Sequence, residues 1–282
     1  MNIDFYRDRF IDHNQPSVPI EDRGYQYGDG VYEVIRAYGG VPFMTEEHLD
    51  RFERSTAAIQ MRAPFTRQRL AEIIGEGISR SGLAEALVYL QISRGSAPRK
   101  HPFPKVEPVF AMTVRPAAPP SAEKYKNGVS ITLLPDERWA NCYIKSINLL
   151  PNILAKEKAA AGGHDEAVFI RDGRVTEGSS SNIFVVKDGR LHTPPATRWI
   201  LSGITRLAVL KLAAELDIPV DEKDFSPEFL LAADEAFVTS TSVEVLPVRA
   251  ADDKPIGPGR PGPISDKLLT AFRELYRIES VS

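Results

Sequence analysis

A single cysteine, Cys142, stands in 282 residues. No internal disulfide can form from it, and no four-cysteine zinc site can be built. Histidine is scarce as well: His13, His48, His101, His164 and His192 are scattered, and none has a second histidine three or four residues on. That leaves no helical metal site. The phosphate loop GxxxxGK(S/T), the zinc-protease HExxH and the nucleophile elbow GxSxG are all missing, so NTP hydrolysis and zinc hydrolysis have no support. No stretch approaches the ~20 apolar residues of a membrane span. The first residues, MNIDFYRDRF, mix both charges and lack the apolar run of a signal peptide. An excess of one charge is absent too: 35 Lys and Arg against 38 Asp and Glu give a net charge of −3. Such a surface offers no global attraction for nucleic acid or anionic lipid. A soluble cytoplasmic protein of enzyme size is expected.

What is present is an ordinary globular mixture, 43% hydrophobic and 26% charged, in a chain long enough for about two domains. VYEVIRA at 31–37 reads as a strand, turned by Gly39-Gly40 into VPF. Thr45 reads as the N-cap of an amphipathic stretch to Met61, with Leu49, Phe52 and Ile59 inward. Thr66 and Gly82 bracket a second helix. LVYLQIS at 87–93 and VFAMTV at 109–114 are strands. PAAPPSA at 116–122, with three prolines, reads as a linker. It separates a small N-terminal α/β domain, 1–115, from a larger C-terminal domain, 123–282. In the second part VSITLL (129–134), EAVFI, NIFVV and EAFVTST are strands, with Asp172-Gly173 and Asp188-Gly189 as hairpin turns. Helices are expected at 152–162, from Ile204 to Leu216, after Ser226-Pro227, and from Ser265 onward. Strands and helices mixed without strict βαβ alternation predict an α+β fold.

Three polar clusters and one lysine could carry chemistry. TEGSSSN at 176–182 sets hydroxyl and backbone donors beside Glu177; taken alone, a polar turn is the simpler reading. SGIT at 202–205 opens a helix whose free N–H groups, with Thr205, could hold a phosphate. TSTS at 239–242 is a hydroxyl-rich strand end, and alone reads as an exposed turn. Lys145 lies in NCYIKSINLLPN among Cys142, Tyr143, Ile144 and Ile147. A desolvated lysine becomes a nucleophilic amine, although most lysines at such places only snorkel from a strand edge. A lysine, an acid 32 residues later and two phosphate-grade loops are together the inventory that pyridoxal phosphate needs.

Seven ordered blocks carry a resemblance over nearly the whole chain: EDRGYQYGDGVYEVIRAY (21–38), EEHLDRFERS (46–55), RGSAPRKH (94–101), RWANCYIKSINLL (138–150), TEGSSSNIF (176–184), LSGITR (201–206) and FVTSTS (237–242). The chain resembles the fold-type IV pyridoxal-phosphate enzymes, the group of branched-chain aminotransferases, D-amino-acid aminotransferases and aminodeoxychorismate lyases. RGYQYGDGVYEV and PRKH together bring it nearest to the D-amino-acid branch. The resemblance implies a two-domain α+β enzyme with pyridoxal 5'-phosphate at the domain interface, bound by the C-terminal domain, and a homodimer. Lys145 resembles the Schiff-base lysine, and Glu177 the acid that pairs with the pyridine nitrogen. Arg51 matches the arginine on the cofactor phosphate, with Ile204, Thr205, Ser240 and Thr241 completing that cup. Arg138 matches a nearby charged support, and Ser180 counts among the cofactor contacts. Tyr32, Arg99 and His101 match the groups that hold the substrate α-carboxylate in the D-specific branch. Ser202 stands where relatives often have lysine, and Pro151 interrupts the start of a helix.

The implied reaction is transamination between D-amino acids such as D-alanine or D-glutamate and 2-oxo acids such as pyruvate or 2-oxoglutarate. A branched-chain L-aminotransferase shares Lys145 and Glu177 but should lack the pair at 99 and 101. An aminodeoxychorismate lyase would use the same cofactor for β-elimination. A protein that merely binds the cofactor would need no carboxylate clamp.

Overall fold

β-branched and aromatic residues dominate Gly30–Tyr38, and in the structure this segment is a nine-residue strand. The structure is a computed structural model that describes residues 1–15 and 17–279, and strands and helices are counted over those residues. The chain divides into two compact units. One contains Met1–Ala118, Ile144–Asn148 and the chain from Tyr276; the other contains Pro119–Tyr143 and Leu149–Leu275.

The first unit runs β1 (Ile3–Tyr6), β2 (Arg9–Ile11), α1 (Arg23–Tyr27), β3 (Gly30–Tyr38), β4 (Val41–Pro42), α2 (Thr45–Ala58), α3 (Arg67–Ser81), β5 (Ala86–Ser93) and β6 (Val109–Pro116). Its six strands form one antiparallel sheet in the order β2-β1-β6-β5-β3-β4. Positive φ at both Gly39 and Gly40 closes the β3–β4 hairpin, the conformation that suits the twist of paired strands. On β3, Val31, Ile35 and Ala37 face a core shared with Leu49 and Phe52 of α2 and Ile73 and Ile74 of α3. Thr66 caps α3 by accepting from Arg69 N, and Gly82 ends it in the left-handed conformation. Thr45 is not the cap of α2. Met44 takes that place with φ 50, because the Thr45 hydroxyl donates to Pro42 O at 3.2 Å instead. The helix ends at Ala58, short of Met61.

The second unit runs α4 (Ala122–Asn127), β7 (Val129–Pro135), α5 (Leu150–Ala161), β8 (Glu166–Arg171), β9 (Arg174–Gly178), β10 (Asn182–Lys187), β11 (Arg190–Thr193), α6 (Ile204–Glu215), β12 (Val220–Glu222), α7 (Pro227–Leu231), β13 (Glu235–Ser240), β14 (Glu244–Ala251), β15 (Lys254–Pro255) and α8 (Pro263–Glu279), whose end from Tyr276 groups with the first unit. Its nine-stranded sheet is mixed, in the order β12-β11-β10-β13-β14-β7-β8-β9, with β15 beside β14. Asp172-Gly173 and Asp188-Gly189 have positive φ at both positions and join β8 to β9 and β10 to β11. Pro151 does not break α5: it sits in the first turn, where no N–H donor is needed. Ser121 caps α4, a helix the proline-rich stretch did not predict. The mixture of sheets and helices is an α+β fold.

Gly257, Gly259 and Gly262 match the spacing of a dinucleotide fingerprint in letters only. The Glu235 carboxylate accepts Ile264 N at 3.0 Å and Ser265 N at 2.8 Å, so the first turn of α8 is capped by the protein's own anion. A Cβ on Gly262 would lie 2.1 Å from Glu235 Cδ, and that contact is what requires the glycine.

Candidate active site

In the first unit Lys145 is fixed through its main chain. Its N–H donates to Ser55 Oγ on α2 at 3.2 Å, and its carbonyl accepts from Tyr32 N at 2.9 Å. The bridge between Val31 and Ser146 continues that pairing along the edge of β3. These bonds explain why Ile144–Asn148 groups with the first unit, whereas the sequence reading put Lys145 with the C-terminal part. The side chain lies with Nζ 4.1 Å from the centre of the Tyr32 ring, and that ring stacks on Tyr89 at 5.6 Å.

Strand alternation places Glu33 on the same face as Val31 and Ile35, inside the core. The buried charge is answered from α2. His48 and Arg51 are three residues apart, so they share a helix face. Arg51 donates to Glu33 through Nε at 2.7 Å and Nη2 at 2.8 Å, and His48 Nδ1 lies 2.9 Å from Glu33 Oε2. Burial pushes the Glu33 carboxyl up, but Arg51 and His48 outweigh it and hold the group well below the usual carboxylate range. Burial, reinforced by the charges of Arg51 and Lys145, lowers His48 against the pull of Glu33, so its imidazole is held toward the neutral form. Arg51 thus sits in a buried ion pair that the sequence did not announce. The available signal was an acid at a core-facing position of an alternating strand.

Arg99 and His101 lie in the loop between β5 and β6 and are exposed. The segment is not an extended run: it bends at 98–99 and 101–102. The two side chains still meet on a common neighbour. The Arg99 guanidinium stands 4.6 Å from the Tyr27 ring centre, and the His101 ring 5.7 Å away. Tyr32 belongs to the Lys145 group and Tyr27 to the Arg99 group, and the sequence reading had not singled out Tyr27.

In the second unit Glu177 is the next-to-last residue of β9 and is buried. Its Oε1 accepts Arg138 Nη1 at 2.5 Å; its Oε2 accepts Asn182 Nδ2 at 3.1 Å and Leu201 N at 3.0 Å. Burial pushes its carboxyl up to about 7 despite Arg138. Arg138 is held in turn by Asp136, with Nε and Nη2 each 2.9 Å from a carboxylate oxygen. Burial works against the charge on Arg138, but Asp136 and Glu177 more than restore it and raise its pKa. Burial would raise Asp136 too, yet Arg138 and Arg171 keep it below the ordinary value. Asp136, Asn182 and the Leu201 amide are thus partners of Glu177 or of its arginine.

Gly203, the N-cap of α6, offers no capping side chain to the first turn, which begins with Ile204 and Thr205, both buried. A Cβ there would lie 2.1 Å from Asn182 Oδ1, so the glycine leaves room for the amide that holds Glu177. α6 packs against β13, whose end carries Thr239, Ser240 and then Thr241. The Thr239 hydroxyl is buried without a hydrogen-bond partner. Ser180 is directed elsewhere: with Ser179 and Ser181 it donates to Glu166, at 3.0 Å for Ser180 Oγ. Cys142 is buried, and burial pushes its thiol up to about 11, so it is no thiolate nucleophile at neutral pH. Among the described residues no cluster of metal-ligating side chains occurs.

Residues 30–251 match the family Amino-transferase class IV. A D-alanine aminotransferase of Staphylococcus haemolyticus is 41% identical over 278 residues, covering 98% of both chains. Among solved structures, the branched-chain amino acid aminotransferase of Escherichia coli superposes with a TM-score of 0.91 at 28% identity, covering 97% of this chain and 94% of the other. The T.th. branched-chain enzyme with pyridoxamine 5'-phosphate gives 0.90 at 28% identity, covering 97% and 93%.

Proposed function

Since the chain belongs to the class IV aminotransferases, we propose that it transfers amino groups between D-amino acids and 2-oxo acids, with pyridoxal 5'-phosphate as cofactor. D-Alanine and D-glutamate are the amino donors, and pyruvate and 2-oxoglutarate the acceptors. The D-specific reading outranks the branched-chain one because the curated D-alanine aminotransferase is much closer in sequence than the branched-chain structures.

The donor sets fit the cofactor. A carboxylate offers about four lone-pair sites, and three donors reach Glu177. One acceptor site is left for a protonated ring nitrogen, and this is the observation that carries the reading. An uncapped first turn at Ile204 and Thr205, the unpartnered Thr239 hydroxyl, Ser240 and Thr241 fit a phosphate. Bound pyridoxal phosphate supplies an electron sink for the pair left when the substrate Cα–H bond breaks.

The residues then divide the work. Glu177 keeps the ring nitrogen protonated, with Arg138 and Asn182 fixing its oxygens. Lys145 would hold the cofactor through its amine, and that amine would act as the base that takes the proton from the substrate Cα. Tyr32 supports the Lys145 amine. Arg51 is assigned to the phosphate, with Glu33 and His48 holding its orientation. Arg99 and His101, with Tyr32, grip the substrate α-carboxylate, where a guanidinium can donate two charge-assisted bonds. Two half-reactions at one site give ping-pong kinetics.

The protein is a homodimer in this reading. Leu150, Ile153 and Leu154 support that, being 66%, 60% and 61% exposed on one side of α5. Light scattering that returned the 31.3 kDa monomer mass would refute it. A cytoplasmic location agrees with the single free thiol and with the lack, among the described residues, of a helix long and apolar enough to cross a membrane. Cell fractionation tests it.

The reaction itself is tested by parallel assays with D-alanine, L-leucine and aminodeoxychorismate, with 2-oxoglutarate as acceptor for the two amino acids. Turnover of D-alanine with little on L-leucine is expected. A preference for L-leucine would overturn the D-specific reading.

A further inference from the structure

We infer that Arg23 and Tyr27, one turn apart on α1, are positioning residues that hold Arg99 and His101 in the orientation needed to receive a carboxylate. The inference rests on the carboxylate role given to Arg99 and His101 in the proposed function.

Arg23 is buried and its Nε is tied to Asp29 at 2.8 Å. Its remaining donors reach the main chain of the 99–101 segment, Nη1 to Lys100 O at 2.5 Å and Nη2 to His101 O at 3.3 Å. Those two bonds fix where the segment runs. Tyr27, at i+4, then meets the side chains. Its ring has the Arg23 guanidinium at 4.8 Å, the Arg99 guanidinium at 4.6 Å and the His101 ring at 5.7 Å, tilted by 52°. Among the described residues Arg99 makes no ion pair, so its charge remains available to an incoming carboxylate. A long exposed arginine otherwise loses rotamer freedom when it binds, and a ring that holds it beforehand reduces that loss.

The phenolic oxygen has another status. It is buried and has no hydrogen-bond partner, so it contributes no hydrogen bond to the fold, and its removal leaves no partner unsatisfied. The ring alone carries the proposed role.

The test uses the holoenzyme with D-alanine and 2-oxoglutarate. Tyr27→Leu raises KM about 3- to 30-fold, the span of a cation–π contact from exposed to desolvated sites. Turnover, cofactor absorbance and melting temperature stay near wild type. Tyr27→Phe restores the wild-type KM. In an Arg99→Ala/His101→Ala background, adding Tyr27→Leu changes KM by less than about twofold, because Tyr27 acts through those two residues. Should the leucine variant not fold, Tyr27→Met removes the ring with a more adaptable side chain. An unchanged KM in the ring-less variant, a further rise when Tyr27→Leu is added to the Arg99→Ala/His101→Ala background, or failure of phenylalanine to rescue would each overturn the inference. Arg99→Ala separates the two levels. A wild-type KM in that variant removes the carboxylate role itself; a raised KM there with none in Tyr27→Leu removes only the positioning role.

Discussion

Replacing Glu177 by glutamine keeps the shape of the side chain and turns one carboxylate oxygen into an NH2. Both oxygens face donors: Arg138 on one side, Asn182 Nδ2 and Leu201 N on the other. Whichever way the amide turns, a donor meets a donor, and a buried polar group left unpaired costs about 1–3 kcal/mol. Arg138 is not stranded, because Asp136 holds it through two nitrogens, so the variant folds. The pH dependence gives a sharper reading. Burial raises the Glu177 carboxyl from the ordinary 4.5 to about 7. A carboxyl raised on folding contributes stability that is complete below its unfolded value and is lost as pH rises through its folded value. The gap corresponds to about 3 kcal/mol. Glutamine does not titrate, so in cofactor-free protein the stability difference between variant and wild type drifts toward the variant by about 3 kcal/mol from pH 4.5 to 8. Urea unfolding at several pH values reads this drift. In the holoenzyme, turnover falls about 100-fold or more, the scale of lost charge stabilisation and proton-transfer catalysis. Wild-type turnover in Glu177→Gln, or a stability difference that does not move with pH, would refute the reasoning.

Three further outcomes are expected. Borohydride treatment of the yellow holoenzyme fixes the cofactor on the peptide that contains Lys145, and labelling of another lysine in a peptide map would reassign the attachment site. Gly203→Ala forces a Cβ onto Asn182 Oδ1, which approaches it to 2.1 Å; turnover drops at least tenfold while Asn182→Ala in the same background adds little, as steady-state kinetics of the two single variants and the double variant will show. Glu33→Gln leaves Arg51 and His48 with a neutral partner in the core and lowers stability by about 3–5 kcal/mol, measured by urea unfolding, the range for breaking a buried ion pair.

The sequence by itself determined the elements whose cause is local. Asp172-Gly173, Asp188-Gly189 and Gly39-Gly40 made their hairpins because both turn positions need positive φ. Thr66 with Gly82, and Ser226 with Pro227, set their helices through caps that act within one turn. It also marked Lys145 and Glu177 as residues of chemical interest, since their type and their neighbours along the chain are local properties.

Elements that depend on distant partners escaped. β1 and β2 are short, and β1 exists by pairing with β6 across more than a hundred residues. β14 carries Pro247, which argues against a central strand, yet β13 and β7 flank it on both sides. The surroundings of the chemical groups were equally a tertiary matter. Glu177 meets Arg138 across 39 residues, and Glu33 meets Arg51 across 18. Burial raises a carboxyl and donors or cations lower it: at Glu177 burial outweighs Arg138 and the group ends near 7, whereas at Glu33 Arg51 and His48 outweigh burial and the group ends far lower. Burial and the placement of neighbouring charges decide that difference, and both are set only when the chain has folded.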